Sequence, residues 1–241
     1  MGGVLRREWL GFLSAMGRTG LVRFLAIYFV VFGLVLPGSL GDTTAAYVVF
    51  AFVPLYVAGP LAVDAFAGER ERQTLETLLS SPVAPGRLLA GKALFPVLFG
   101  LGTSWVVMAI YSLWSAVKGW EMPGTGLLLP VTAGGLVAAV LGSLVGLHVS
   151  LRARSVRSGQ QWFSIALLVL VLGVPLAARF LVPRLPADVL ESVGEMFRGG
   201  WGSPGALTLE AGLLVVCAGL FLTLRTGVRG LWRLNPGRGS R

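Results

Sequence analysis

The sequence predicts an all-α, polytopic integral membrane protein with six transmembrane helices. Its 241 residues are 55% hydrophobic and only 13% charged, with a mean hydropathy of +0.79. Soluble domains average about 45–50% apolar and about 25% charged residues. The apolar residues also fall into stretches of about 20, the length that crosses a bilayer as an α-helix. These two observations exclude an ordinary soluble protein.

Six apolar stretches are long enough to cross a membrane. Because every backbone N–H and C=O must be paired within the bilayer, each stretch is expected to be helical. The predicted spans are residues 21–40, 44–66, 94–117, 127–149, 162–181 and 206–224.

Lys and Arg residues accumulate in alternate connecting segments, and such segments are usually cytoplasmic. The segments of the other set hold only Lys118, Arg179, Arg184 and Arg198. An even number of spans with both termini in the cytoplasm explains this pattern, and residues 225–241 are then a basic cytoplasmic tail. The net charge of +9 is therefore interpreted as membrane topology. We expect a lipid bilayer, and no nucleic acid, as its environment.

Two amphipathic segments outside the spans are also expected to be helical. Residues 3–18 are predicted to form an interfacial helix on the inner leaflet, and an ordinary soluble N-terminal helix is the alternative. Its apolar face carries Leu5, Trp9, Phe12, Leu13 and Met16. Residues 187–198 are predicted to form a short outer helix that lies on the outer leaflet, dips into it, or simply covers the surface.

Besides Arg23, at the start of the first span, three charged residues fall within predicted spans, where charges are costly and often functional. They are Asp64, Arg179 and Glu210, and each lies near the end of its span. Snorkelling or pairing at the interface is the alternative, with Arg179 and Glu210 as a candidate outer pair.

The spans also contain a face of small residues. Gly142 and Gly146, extended back to Ala138, favour close helix packing in the fourth span. The helix against which this face packs is left open, in this chain or in another.

The chain is poor in catalytic and metal-binding residues. It has one cysteine, Cys217, and one histidine, His148, too few for a disulfide, a zinc site or a Cys/His pair. Gly86 to Lys92 matches most of a phosphate-binding P-loop, but Ala93 stands where Ser or Thr would bind magnesium. We therefore expect no catalytic residue, cofactor or metal in this chain.

The connection between spans two and three predicts a short amphipathic helix over residues 69–81. Leu75, Leu78 and Leu79 form an apolar patch at i, i+3 and i+4, and Pro82 ends the helix. The patch is too small and too polar in its surroundings to enter lipid, but it suits a groove on a soluble partner. A solvated loop held by Glu69–Arg72 and Arg72–Glu76 pairs is the alternative. The remaining charged residues are Arg70 and Glu71.

The same segment resembles a family pattern. Residues 69–79 read Glu-Arg-Glu-Arg-Gln-Thr-Leu-Glu-Thr-Leu-Leu and are followed by Ser-Pro-Val at 81–83 and Gly-Lys at 91–92. This is similar to the acidic-basic-acidic-x-Gly-Thr-Leu-Glu-x-Leu-Leu, Pro-Val-Ser and Gly-Lys pattern of ABC type-2 permeases, the membrane subunits of bacterial and archaeal ABC exporters. Gln73 replaces the usual glycine, and Ala84 replaces the usual serine.

The resemblance implies a permease subunit of an ATP-driven exporter in a bacterial or archaeal cell membrane. ATP and magnesium would bind a separate ATP-binding subunit, present in two copies, and a second permease copy or a homologous permease would complete the pathway. The residues implied to couple to that subunit are Glu69, Arg72, Thr74, Leu75, Glu76, Leu78 and Leu79. The alternative is an ATP-independent membrane protein, either a secondary transporter or a membrane-embedded enzyme. Those classes usually need a central charged cluster.

Overall fold

The structure is a computed structural model that describes residues 2–39, 43–80, 84–120, 125–181, 184, 212 and 215–227. Within these ranges every regular element is helical, which confirms the predicted all-α class for this part of the chain. The elements are α1 (Gly2–Val30), a π-helical turn (Val31–Val35), α2 (Leu36–Ser39), α3 (Thr43–Glu71), α4 (Leu75–Ser80), α5 (Pro85–Lys118), α6 (Thr125–Arg152), α7 (Val156–Leu181) and α8 (Val215–Gly227).

Three of the described helices are long and apolar enough to cross a membrane. The stretches are Val49–Glu71, Gly86–Lys118 and Val131–Arg152, in α3, α5 and α6. Val22–Val35 and Val215–Gly227 are shorter apolar helices. The count of six spans and the side of the membrane that each end faces stay predictions. The predicted outer helix at 187–198, Glu210 and residues 228–241 lie outside the described residues.

Among the described helices, α3 and α6 share the most extensive packing. A Cβ atom on Gly146 would lie 2.4 Å from the carbonyl oxygen of Gly59 and 2.8 Å from Cβ of Ala62, so only glycine allows this approach. The face of small residues predicted on α6 therefore packs against α3 of the same chain. The hydroxyl of Ser150 donates to Val63 O at 2.6 Å, which adds a polar link to the same pair of helices.

Successive long helices alternate in direction. The hydroxyl of Ser104 donates to Phe50 O at 2.7 Å, and the ammonium of Lys92 donates to Ala65 O at 2.7 Å, so α5 runs opposite to α3. The contacts between α3 and α6 advance together along both helices, in the pairs Leu55–Gly142, Gly59–Gly146 and Val63–Ser150. The end of α3, the end of α6 and the start of α5 therefore share one end of the bundle. We call it the α4 end.

α1 contains a break at Gly17, whose φ of 63° and ψ of 164° are outside the helical region. A φ of this sign is open to glycine at little steric cost. The break falls at the end of the predicted interfacial helix, shortly before the predicted first span. Before it, the ring of Phe12 lies with its centroid 5.0 Å from that of Phe99, and the centroid of Trp9 lies 6.1 Å from that of Phe95. The N-terminal part of α1 is thus attached to α5 by aromatic contacts.

Candidate functional site at the α3–α4 junction

The predicted helix over residues 69–81 is divided in the structure. Residues 69–71 are the last turn of α3, residues 72–74 form a turn, and α4 covers Leu75–Ser80. The N–H of Thr74 donates to Glu69 O at 2.9 Å, and the N–H of Gln73 donates to Arg70 O at 3.2 Å. Gln73 has a φ of 55°. This is the hydrogen-bond pattern of a Schellman helix end, whose left-handed residue is usually glycine.

Lys92 lies at the centre of the junction. Its ammonium nitrogen is 2.7 Å from Ala65 O, 2.9 Å from Glu8 Oε1 and 3.4 Å from Glu69 Oε1, and its side chain is only 1% exposed. An ammonium has three protons to donate, so these three acceptors satisfy it. Because they belong to α1 and α3, while Lys92 belongs to α5, one buried cation connects three helices.

Glu69 also holds the turn that follows α3. Its Oε2 atom accepts a hydrogen bond from the hydroxyl of Thr74, while its Oε1 atom faces Lys92. The pairing of Glu69 with Arg72 that the helical spacing suggests is therefore replaced by these two contacts. Arg72 instead pairs with Asp64 at 3.3 Å, and the two side chains are 51% and 44% exposed. An ion pair this exposed contributes little to stability.

Arg70 and Glu71 hold the turn between α6 and α7. The guanidinium of Arg70 donates to Leu151 O at 3.1 Å and also to Ala153 O, at the C-terminal end of α6. Glu71 Oε1 accepts from the N–H of Val156, the first residue of α7, at 2.9 Å. A cation at a helix C-terminus and an anion at a helix N-terminus both match the helix macrodipole. Two adjacent residues of α3 thus stabilise the C-terminus of α6 and the N-terminus of α7.

A cavity of about 200 Å³ opens beside these residues, between α1, α3 and α5. Its polar wall consists of Glu8, Asp64, Glu69, Arg72, Thr74 and Lys92. Arg72 pairs with Asp64, and Lys92 pairs with Glu8 and Glu69, so the charges of this wall are largely neutralised within the chain. Among the described residues there is no group of three or more His, Cys, Asp or Glu side chains that could hold a metal ion.

The side chains of α4 point both inward and outward. Leu78 is 3% exposed, and Leu75 packs against a core cluster of α3, α5, α6 and α8 residues, while Glu76 and Thr77 are exposed. The cluster consists of Ala62, Ala65, Phe66, Leu89, Leu144, Leu147, Cys217 and Leu224. The sequence predicted that the apolar patch of Leu75, Leu78 and Leu79 docks on a soluble partner. In the structure Leu78 is already buried by this chain, and its coupling role stays a prediction. The side chain of Leu79 is outside the described part.

The remaining sequence-predicted residues are spread across the bundle. Asp64 belongs to the junction through Arg72, whereas Arg179 lies exposed near the end of α7 and far along the chain from it. The P-loop-like residues 86–92 lie within α5, and the buried Lys92 is held by carboxylates and a carbonyl. That lysine is not available to a phosphate.

Sequence reasoning assigned no separate role to Lys92, Glu8, Arg70 or Ser150. Ser150 accepts hydrogen bonds from the N–H groups of Phe66 at 2.9 Å and Ala67 at 3.0 Å, besides its own donation to α3. Each of these contacts joins residues 23 to 87 positions apart. In the sequence they are isolated polar or charged residues, and local spacing does not indicate which residues they contact.

Comparison with known proteins adds two findings to this geometry. Residues 28–191 match the family described as ABC-2 family transporter protein. The chain is also 26% identical to the ABC transporter permease protein NatB of Bacillus subtilis (strain 168), over 212 residues that cover 75% of this chain and 53% of the relative. The chain thus spans about half the length of that relative. Because the family match covers more than half of its residues, the chain belongs to the ABC-2 family of transporter proteins.

Proposed function

We propose that this chain is the membrane-spanning permease subunit of an ATP-driven ABC exporter. It moves a solute by alternating access, powered by a separate ATP-binding subunit. Family membership supports the permease role, and a relative with the name of an ABC transporter permease points the same way. The bacterial relative favours the cell membrane as the location.

The proposed assembly has four parts. Two ATP-binding subunits hold the ATP and magnesium, and two permease chains, either two copies of this one or this one with a homologue, form the pathway. Each permease contributes six spans with both termini in the cytoplasm. The alternating directions of α3, α5 and α6 are compatible with this topology, as is the position of Glu8 at the α4 end.

The observation that carries the proposal is the way α4 is attached. It is anchored on its inner side by Leu75 and Leu78, and it presents Glu76 and Thr77 outward. A short helix with a fixed inner side and an exposed polar side is suited to receive a push from a soluble subunit. We assign Glu76 and the exposed Arg72 to the contact with that subunit. Leu79 is assigned to the same element from the sequence pattern.

Displacement of α4 would reach the spans by three routes. Leu75 packs on a cluster that contains residues of α3, α5, α6 and α8. Glu69 and Thr74 fix the angle between α3 and α4, and Lys92 carries that link to α5 and α1. Arg70 and Glu71 carry it to the α6–α7 turn. Because α3 and α6 are packed too closely to slide, they are expected to move as one body.

The first experiment is purification of the chain from its native membrane in mild detergent, with mass spectrometry of the proteins that co-elute. An ATP-binding subunit in fixed proportion is expected. A chain that elutes alone, while other ABC complexes stay intact, would contradict the proposal. It would favour the ATP-independent transporter or membrane-embedded enzyme instead.

The second experiment tests α4 directly. Glu76→Lys is expected to leave insertion and folding intact but to lower transport per ATP hydrolysed by at least about tenfold, because it reverses the charge of the contact. Lys118→Glu is the matched control, since it reverses one exposed charge at the other end of α5. If both variants transport equally well per ATP hydrolysed, Glu76 does not contact the ATP-binding subunit.

A further inference from the structure

A second opening lies between α6, α7 and α8. It is a groove of about 820 Å³ that contains Arg152, the last residue of α6, and the loop after it. The groove is therefore at the α4 end of the bundle. None of the residues that we assign to coupling lines it.

Two arginines give the groove its charge. Arg152 and Arg154 are exposed and form no ion pair with a residue that the structure describes. Among the described residues that line the groove, none is Asp or Glu. Two guanidinium groups beside one cleft, without a counter-charge from its walls, favour an anionic ligand. Arg is particularly suited to phosphate, because its planar donors match phosphate oxygens in pairs.

The other polar residues of the groove are used within the chain. His148 contacts Leu144 O at 3.0 Å and the hydroxyl of Thr223 at 2.8 Å through its two ring nitrogens. The N–H of Ser158 donates to Ser155 Oγ at 3.1 Å, which caps the start of α7. The arginines are thus the groups with donors to spare.

The rest of the wall is apolar. Val145, Val149, Ala166 and Leu220 continue the groove away from the arginines. Trp162 also lines it and is 65% exposed, and Trp is enriched at the boundary between headgroups and hydrocarbon. A liquid water molecule takes up about 30 Å³, and an inorganic phosphate is equivalent in size to only a few such molecules. A phosphate ion alone would therefore leave most of the groove empty and its apolar wall uncovered.

The geometry points to a binding site for an anionic phospholipid in this groove. Its phosphate lies between Arg152 and Arg154, and the first part of an acyl chain lies along Val145, Ala166 and Leu220. Basic pockets between membrane helices are suited to anionic headgroups. The inference requires that the chain is embedded in a bilayer, but it does not depend on ATP-driven transport or on α4.

The test measures lipid retention by the full chain, purified with its co-eluting proteins. Phosphatidylglycerol or phosphatidylcholine is added at equal concentration, and bound lipid is counted by native mass spectrometry. The wild-type chain is expected to retain phosphatidylglycerol in preference to phosphatidylcholine. Arg152→Ala with Arg154→Ala is expected to retain about tenfold less phosphatidylglycerol, since each basic residue near an anionic surface contributes several-fold. Arg23→Ala with Arg87→Ala removes the same charge from exposed positions outside the groove and is the control.

A second variant distinguishes a lipid from a free phosphate. Ala166→Trp keeps both arginines but fills the apolar part of the groove, so it is expected to lose phosphatidylglycerol while thermal unfolding stays near that of the control. Undiminished retention by Ala166→Trp would overturn the lipid assignment in favour of an anion site. Equal retention by the arginine variant and its control would overturn the site itself, as would equal retention of the two lipids by the wild-type chain.

Discussion

The carboxylate of Glu71 accepts a hydrogen bond at 2.9 Å from the backbone N–H of Val156, which begins α7. The preceding residue, Arg70, donates to the carbonyl oxygens that end α6. Two neighbouring side chains of opposite charge therefore meet the two helix ends whose partial charges they complement. The end of α3 and the α6–α7 turn are joined across more than 80 positions of the sequence.

Replacement of Glu71 by Ala is expected to loosen this turn. It removes the anion at the N-terminus of α7, and the loss in free energy of unfolding should be about 0.5–2 kcal/mol. Thermal unfolding of the detergent-solubilised chain measures the change. Glu76→Ala is the control, because the side chain of Glu76 is exposed and its carboxylate accepts no hydrogen bond from the described residues. Equal destabilisation by the two variants would count against the contact.

Lys92→Met is expected to destabilise the chain far more. The substitution leaves the carboxylates of Glu69 and Glu8 without their buried counter-charge, and removal of one partner of a buried pair costs about 3–5 kcal/mol. Lys118→Met, at an exposed position, should change stability by less than about 0.5 kcal/mol. Combination of Lys92→Met with Glu69→Gln should recover part of the loss. A mild effect of Lys92→Met alone would show that the pair contributes little.

The sequence predicts the long helices well, because their signal is the number of consecutive apolar residues. Spans two, three and four correspond to α3, α5 and α6. The charged segment is predicted less well, since helical spacing reports only neighbours three and four positions away. Lys92 meets acceptors 23, 27 and 84 positions away, and only the helix arrangement brings them together.

The apolar pattern of α4 has the same limit. The spacing of Leu75 and Leu78 correctly indicates a helix with one apolar side, but it does not identify the surface that covers this side. The face of Gly142 and Gly146 is similar, because small residues predict a close approach and leave the neighbour open. In both cases the structure assigns the contact to this chain's own bundle.

Gly146→Ala is expected to separate α3 from α6. The added Cβ would lie 2.4 Å from a backbone oxygen of Gly59, which does not move independently of its helix. Overpacking of this kind costs about 1–3 kcal/mol. Gly102→Ala is the matched control, since nothing lies within 4 Å of its added Cβ. That variant should gain up to about 1 kcal/mol from better helix propensity. The thermal midpoint is therefore expected to fall for Gly146→Ala and to rise for Gly102→Ala. A change in the same direction for both variants would contradict the close packing of α3 and α6.

Ala84→Ser should stabilise the start of α5. Ala84 occupies the N-cap position with an extended backbone, and its side chain makes no capping hydrogen bond. The N–H of Arg87 already donates to Ala84 O at 2.9 Å, so a serine hydroxyl there would accept from the N–H of Gly86. Such a cap contributes about 0.5–2 kcal/mol relative to alanine. Ala90→Ser, within the same helix, is the control and should be neutral or slightly destabilising. Thermal unfolding of both variants measures the change in stability. If Ala84→Ser is no more stable than the wild-type chain, residue 84 is not an N-cap position that lacks its side-chain hydrogen bond.

Gln73→Gly should stabilise the α3–α4 turn. Gln73 holds a φ of 55°, a conformation that costs a residue with a Cβ about 1–2 kcal/mol. The greater freedom of glycine in the unfolded chain offsets about 0.5–1 kcal/mol of this, so a net gain of about 0.5 kcal/mol is expected. Gln73→Val should lose stability, because a β-branched side chain is least tolerated at positive φ.

The control for this series reverses the expected sign. Gln160 is exposed within α7, so Gln160→Gly should lower the free energy of unfolding by about 0.5–1 kcal/mol. The thermal midpoint is expected to fall in the order Gly, Gln, Val at position 73, and Gln160→Gly is expected to lower it. This combination would establish the left-handed turn. If glycine were destabilising at both positions, residue 73 would instead be helical, and α3 would continue into α4 as one helix. A push on α4 would then turn α3 directly, with no hinge between them.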